Sequence, residues 1–438
     1  MQLPERPPFA IRAQIISPLD AGGSTHHPDA LIEVDADGRI ARVQPWPTDS
    51  PGLEKSGAID LRPMVVMPGL VDLHAHLPQL PNAGVGAGLD LLTWLERYIF
   101  PLERDFDAAA AERLAPLAFK ALAAAGTTTA LLYGAVYEAS LDACFAAAEE
   151  HGIRLVLGKV MMDRLRYDPT LDDKEVLDAS LAQSQRLIER WHGRDRGRLR
   201  YAVTPRFAVS CSPEMLRESA ALAKATGAYW QTHISEDRHE VEEVHRLFPD
   251  AIDYTDVYDK AGGLGPQTIL AHAVYLSERE IARLAETGTR IAHCPASNLF
   301  LASGAMPLAR YLDAGLVVGL GSDVAAGPEL SIFAAMRAGA YTQSGLHTML
   351  GDERPMLKPL EWLRLGTLEG ARVLGMEKET GSIEPGKDAD FIVVDPDATA
   401  PVAGAQVEEA SDIVSRLMYR TRTEMIAGTW VRGRRLAA

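Results

Sequence analysis

The sequence predicts an α/β fold, a closed (β/α)8 barrel carrying a smaller β domain. The first observation is a rhythm: between roughly residues 68 and 375, eight apolar, β-branched runs alternate with helical, Ala/Leu/Glu-rich stretches. The second is that strand signals with Pro-Gly punctuation recur at both ends of the chain. They predict a discontinuous β-sandwich domain from residues 1–67 and 376–438 beside a barrel spanning 68–375. The third is that no Gly-x-Gly-x-x-Gly follows the first run, which removes the usual reason to prefer an open dinucleotide-binding sheet.

Near the N-terminus, residues 30–43 carry two apolar runs around Asp37-Gly38, a hairpin signal. The eight barrel strands are expected at residues 64–71, 127–136, 155–162, 201–210, 229–234, 268–274, 290–294 and 317–322. Residues 108–125 and 214–226 read as two of the intervening helices. After Glu384-Pro385-Gly386, residues 390–395 and 429–436 look like short strands again.

Composition narrows the function classes. The 438 residues carry 44 Lys+Arg against 60 Asp+Glu, a formal charge of −16 that repels phosphate backbones and argues against nucleic-acid partners. No apolar run reaches the roughly 18 residues of a membrane span, and the first residues lack a signal-peptide core. A soluble, cytoplasmic globular protein is the expectation, and composition goes no further. Cys144, Cys211 and Cys294 are too few and too scattered for a disulfide framework or a thiolate zinc cluster.

Barrel enzymes carry their chemistry at the C-terminal ends of the strands. Strand 1 ends in His74-Ala75-His76, strand 5 in His233 followed by Glu236, and strand 6 carries His272. Strand 7 ends in His293 and strand 8 in Asp323. His74 and His76, two apart on a strand, point to one side. With His233 and Asp323 they form a nitrogen/oxygen set suited to Zn²⁺ or Fe²⁺, with a coordination position left for water. The plainer reading of the His-x-His pair is two half-buried strand histidines.

Pro68-Gly69-Leu70-Val71-Asp72-Leu73-His74-Ala75-His76 resembles the strand-1 signature of the amidohydrolase superfamily. Thr232-His233-Ile234-Ser235-Glu236, Ala271-His272 and Gly321-Ser322-Asp323 are similar to its strands 5, 6 and 8. Within it the chain most resembles the guanine deaminases, through Gln79-Leu80-Pro81, Trp94-Leu95-Glu96, Tyr98, Phe100-Pro101, Thr204-Pro205-Arg206-Phe207, Tyr254 to Lys260, and His293-Cys294-Pro295 with Ser297-Asn298. The likeness covers the barrel and reaches Gly381 to Lys387. It implies hydrolytic deamination of guanine in a homodimer. A pterin, 8-oxoguanine or an s-triazine is the alternative substrate, and a non-enzymatic barrel scaffold the alternative class.

On that resemblance His74, His76, His233 and Asp323 hold one zinc. Glu236 shuttles a proton from water to the ring, His272 orients the nucleophile, and Asp323 passes a proton to departing ammonia. For Glu236 the plainer reading is a carboxylate at a helix N-terminus. Two-metal relatives use a lysine on strand 4; this strand 4 has none, and Lys159 lies on strand 3, so a single metal is expected. Gln79, Arg206 and Phe207, with His272, are the expected substrate contacts: an amide that donates and accepts, a fixed set of donors, and a ring to stack on. An ion pair for Arg206 and ordinary core for Phe207 are the plainer readings. Residues 82–106, with Gly84, Gly86 and Gly88 before Trp94 and Tyr98, are expected to cover the pocket, although Trp94 equally fits helix packing.

Other signals are set aside. His239 and His245 are six apart, so they cannot share an ion on a helix. No Pro-Cys-x-x-Cys accompanies a His-x-Glu, which excludes the other zinc-deaminase signature. Arg186, Arg190, Arg194, Arg196, Arg198 and Arg200, interleaved with Glu189 and Asp195, read as a solvated helix end. His293 is expected to order its loop, and His26, His27, His151, His192 and His347 to be surface residues.

Overall fold

A computed structural model describes residues 3–46, 57–165 and 173–438. Four strands precede the barrel: β1 (Phe9–Pro18), β2 (Ser24–Val34), β3 (Ile40–Pro45) and β4 (Ile59–Pro68). The predicted hairpin is β2–β3. Its turn closes because the Asp35 carboxylate accepts from the backbone N–H of Asp37 and Arg39, both at 2.9 Å, while Gly38 takes φ +81°.

The barrel strands follow as β5 (Leu70–His76), β6 (Thr127–Tyr133), β7 (Arg154–Gly158) with its continuation β8 (Val160–Met161), β9 (Leu199–Pro205), β10 (Tyr229–Ile234), β11 (Thr268–His272), β12 (Arg290–His293) and β13 (Val318–Leu320). Neighbours pair in parallel in that order, and helices such as Ala108–Ala124 and Pro213–Thr226 cross between them. The eight-strand barrel with helices between is therefore present. No β-ladder joins β5 to β13. The gap is bridged instead by Asp72, whose carboxylate accepts from the Ser322 N–H at 2.9 Å and the Ser322 hydroxyl at 2.6 Å. Two backbone bonds beyond it complete the closure, Asp323 N–H to His74 C=O at 2.7 Å and His76 N–H to Val324 C=O at 2.8 Å.

The chain ends in β14 (Phe391–Val394), β15 (Ile426–Val431) and β16 (Arg434–Arg435). These join the N-terminal strands in one mixed sheet ordered β16-β15-β14-β4-β1-β2-β3. The expected sandwich thus takes the form of a single hydrogen-bonded path drawn from both termini. Alternate residues serve its two faces. Val65, Met67, Ile392 and Val394 pack into the main core shared with the helices around the barrel, whereas Val66, Phe391 and Val393 join a second core with Ile11, Ile15 and Trp430.

That two-sided burial corrects one boundary. Residues 64–68 look like the start of barrel strand 1 but belong to β4, paired antiparallel with β14. A strand buried on both faces is continuously apolar, so the run carries no mark of where one sheet ends. The arginine run is held by acids of neighbouring elements: Arg186 to Glu138 and Arg194 to Glu149 at 2.6 Å, Arg200 to Glu379 at 2.7 Å, and Arg190 to Asp142. Among the described residues no helix is long and apolar enough to cross a membrane.

Candidate active site

The site forms where β5, β10, β11 and β13 end. His74 and His76 follow the alternation of β5, and Gly321 lets β13 lie against them: a Cβ there would meet the His74 Cβ at 2.7 Å. His272 (φ +74°), Ser235 (φ +48°) and Asp323 (φ +51°) adopt left-handed backbone where these strands turn off, a costly conformation that marks where the scaffold dictates side-chain direction.

Four donor atoms converge. His76 Nε2 is 3.3 Å from both His74 Nε2 and His233 Nε2. Asp323 Oδ1 is 3.2 Å from His74 Nε2 and 3.5 Å from His76 Nε2. Donors about 2.1 Å from a tetrahedral ion lie about 3.4 Å apart, so these spacings fit one small divalent ion. All four residues are buried, and burial first, then the neighbouring imidazoles, pushes His76 and His233 well below the ordinary histidine range. Neutral imidazoles are the form that ligates. His233 is also aimed from behind: the Arg206 carbonyl accepts its Nδ1–H at 2.6 Å, which turns Nε2 to the cluster.

Glu236 and His272 flank the donor set. Glu236 Oε2 is 3.4 Å from His272 Nε2, which in turn is 3.8 Å from Asp323 Oδ2. Asn298 Oδ1 accepts the His272 Nδ1–H at 2.9 Å, so Nε2 bears the lone pair, and burial lowers the ring's pKa to about 4. Burial, followed by the charge of Asp323, raises the Glu236 carboxyl well above the usual range. Its loop is fixed by Glu240, which accepts from the backbone N–H of Glu236 at 2.7 Å and from the Tyr254 hydroxyl at 2.6 Å.

One pocket opens onto these groups. It is lined by His76, His233, Glu236, His272 and Asp323, and also by Gln79, Arg206 and Phe207. Leu91, Trp94 and Leu95 of the segment expected to cover it form part of its wall, with the Trp94 indole N–H donated to the Val85 carbonyl at 3.0 Å.

A sequence model of the Amidohydrolase family matches residues 65–436. The chain belongs to that family. This amidohydrolase is 39% identical over 378 residues to a probable guanine deaminase of Deinococcus radiodurans, covering 85% of this chain and 84% of the relative. It is also 39% identical over 360 residues to the guanine deaminase of Escherichia coli K12, covering 82% and 79%. Among solved structures it resembles a guanine deaminase from C. acetobutylicum with guanine bound in the active site, at a TM-score of 0.90, 29% identity and coverage of 98% and 99%.

The expected site residues of this amidohydrolase therefore come together around one pocket. His74 closes the donor set without lining the pocket itself. His293 is buried, and neither ring nitrogen has a hydrogen-bond partner among the described residues. Sequence reasoning assigned no role to three contributors. Tyr133 packs its ring against His74, His76 and His233 at centroid distances of 4.8, 4.6 and 4.8 Å. Asn298 sets the His272 tautomer, and Glu103 is buried between Gln79 and Arg206. Glu103 is one of three closely spaced acids with Asp105 and Asp107, and nothing local in the sequence singles it out.

Proposed function

We propose that the protein hydrolyses guanine to xanthine and ammonia. The observation that carries this reading is the shared pocket: His76, His233 and Asp323 of the donor set, a buried acid beside them, and an amide, a guanidinium and an aromatic ring all face one cavity, with His74 completing the set behind its wall. The names of the relatives support guanine as the heterocycle.

His74, His76, His233 and Asp323 are the residues that would hold Zn²⁺, with Fe²⁺ as the alternative. Such an ion supplies Lewis-acid activation of water at neutral pH. Glu236 accepts the proton of the attacking water and delivers it to a ring nitrogen next to the amino-bearing carbon. Its raised affinity for a proton suits a group that must take and then give. His272, neutral and fixed by Asn298, accepts a hydrogen bond from the water through Nε2 and aims it. Asp323 passes the second proton to the departing ammonia. Phe207 stacks on the flat base while Gln79 and Arg206 read its edge.

The test is ammonia release from guanine, a pterin, 8-oxoguanine and an s-triazine, with metal analysis of the same sample. Guanine is expected to turn over fastest. An inert guanine beside an active pterin would overturn the substrate, and no ammonia from any of them in metal-loaded protein would overturn the reaction. The same reading includes a cytoplasmic homodimer, which sedimentation and fractionation measure.

A further inference from the structure

The pocket edge expected to read the base is built on a carboxylate that does not line it. Glu103 is fully buried at 0% exposure, in the short helix Phe100–Arg104. Its Oε1 accepts from the Gln79 side-chain amide at 2.7 Å, and its Oε2 pairs with Arg206 Nη1. Gln79 and Arg206 are themselves 1% and 2% exposed, so bulk water does not substitute for this partner. Phe100, one turn earlier on the same helix, places its ring centroid 5.3 Å from the Arg206 guanidinium carbon.

The chemistry of these groups fixes a direction. The partner of a guanidinium accepts hydrogen bonds at both oxygens. An amide has a donor end and an acceptor end, and facing an acceptor it must turn its NH2 inward. With Nε2 committed to Glu103, the amide carbonyl is the end of Gln79 left for the cavity. A carbonyl there favours a ring that offers N–H at that edge, and Arg206 favours a ring oxygen beside it. A lactam, N–H next to C=O, has that order of donor and acceptor; an aminopyrimidine edge has the reverse.

We propose that Glu103 is a positioning residue that sets the hydrogen-bond polarity of the substrate edge and so selects lactam-bearing purines. The proposal deepens the guanine reading of the site and rests on it. Glu103 touches no substrate; it acts through Gln79 and Arg206.

Glu103→Gln tests this with a readout that general loosening would not produce. The introduced amide keeps its oxygen toward Arg206, which can only donate, and turns its NH2 toward Gln79. Gln79 must then flip, presenting Nε2–H to the cavity. In the metal-loaded enzyme KM for guanine is expected to rise about tenfold or more, with kcat changed by less than about threefold. The preference for hypoxanthine (N–H beside C=O) over adenine (the reverse edge), measured by calorimetry, is expected to fall by about tenfold or invert. An unchanged KM and an unchanged preference would overturn the proposal, and so would equal weakening of both ligands. If Glu103→Gln does not fold, Glu103→Asp decides: it keeps the charge and the polarity, so the preference is expected to persist while KM rises several-fold, and a KM equal to that of the unsubstituted enzyme overturns the proposal. Failure of the guanine reading is seen separately, as absent turnover in the unsubstituted enzyme, and the two-ligand preference still reports on Glu103 there.

Discussion

The proposed proton shuttle, Glu236, sits where its surroundings raise its affinity for a proton. It is buried beside His272 and within the field of Asp323, and its backbone N–H is tied down by Glu240. Replacing it with Gln preserves shape and removes the basic oxygen. Glu236→Gln is expected to retain its metal, because Glu236 lies outside the four-donor set, and to lose about 10³-fold or more in kcat. Metal analysis beside initial rates checks this; near-normal turnover would remove Glu236 from the mechanism. Residues of this kind were legible in the sequence because they sit at fixed offsets from strand ends. Those that act from behind were not. Glu103 reaches Arg206 across 103 positions of chain and Asp72 reaches Ser322 across 250, and no local pattern records such pairings.

Three of the proposed metal ligands sit on or just after the two strands at the seam where the barrel closes. β5 supplies His74 and His76 and the loop after β13 supplies Asp323, yet no ladder joins these two strands. Asp72 spans the gap, also accepting the His74 N–H at 3.2 Å, and thereby couples the two elements that carry proposed ligands. Asp72→Ala leaves the buried Ser322 donors unpaired and is expected to cost about 3 kcal/mol of stability. It is also expected to weaken metal retention, measured by thermal melts and dialysis against chelator; an unchanged melt and unchanged retention would show that the two backbone bonds close the barrel alone. At this scale the alternation of eight apolar runs predicts the barrel strands closely, since each is a buried parallel strand followed by an amphipathic helix. The boundary near Gly69 is lost for the same reason: burial on both faces erases periodicity on either side of it.

Across the whole molecule, the barrel and the terminal sheet are joined by buried charge as well as by apolar surface. Arg154, at the start of β7 and fully buried, donates to Asp390 at 2.9 Å and Asp388 at 2.7 Å just ahead of β14. The Asp390 backbone carbonyl meanwhile receives the Gly69 N–H at 3.1 Å, so one short segment fastens both domains at the point where the chain enters the barrel. The formal charge of −16 and the pairing of the arginine run suit a protein that handles a small uncharged base and repels polyanions. In the proposed reaction a single ion among His74, His76, His233 and Asp323 enables guanine hydrolysis. The most direct measurement strips the protein with chelator and follows xanthine formation as Zn²⁺ is titrated back. No turnover is expected in the stripped protein, followed by a linear return to a plateau at about one Zn²⁺ per chain. Full turnover without metal, or a plateau reached only near two equivalents, would contradict that single-ion role.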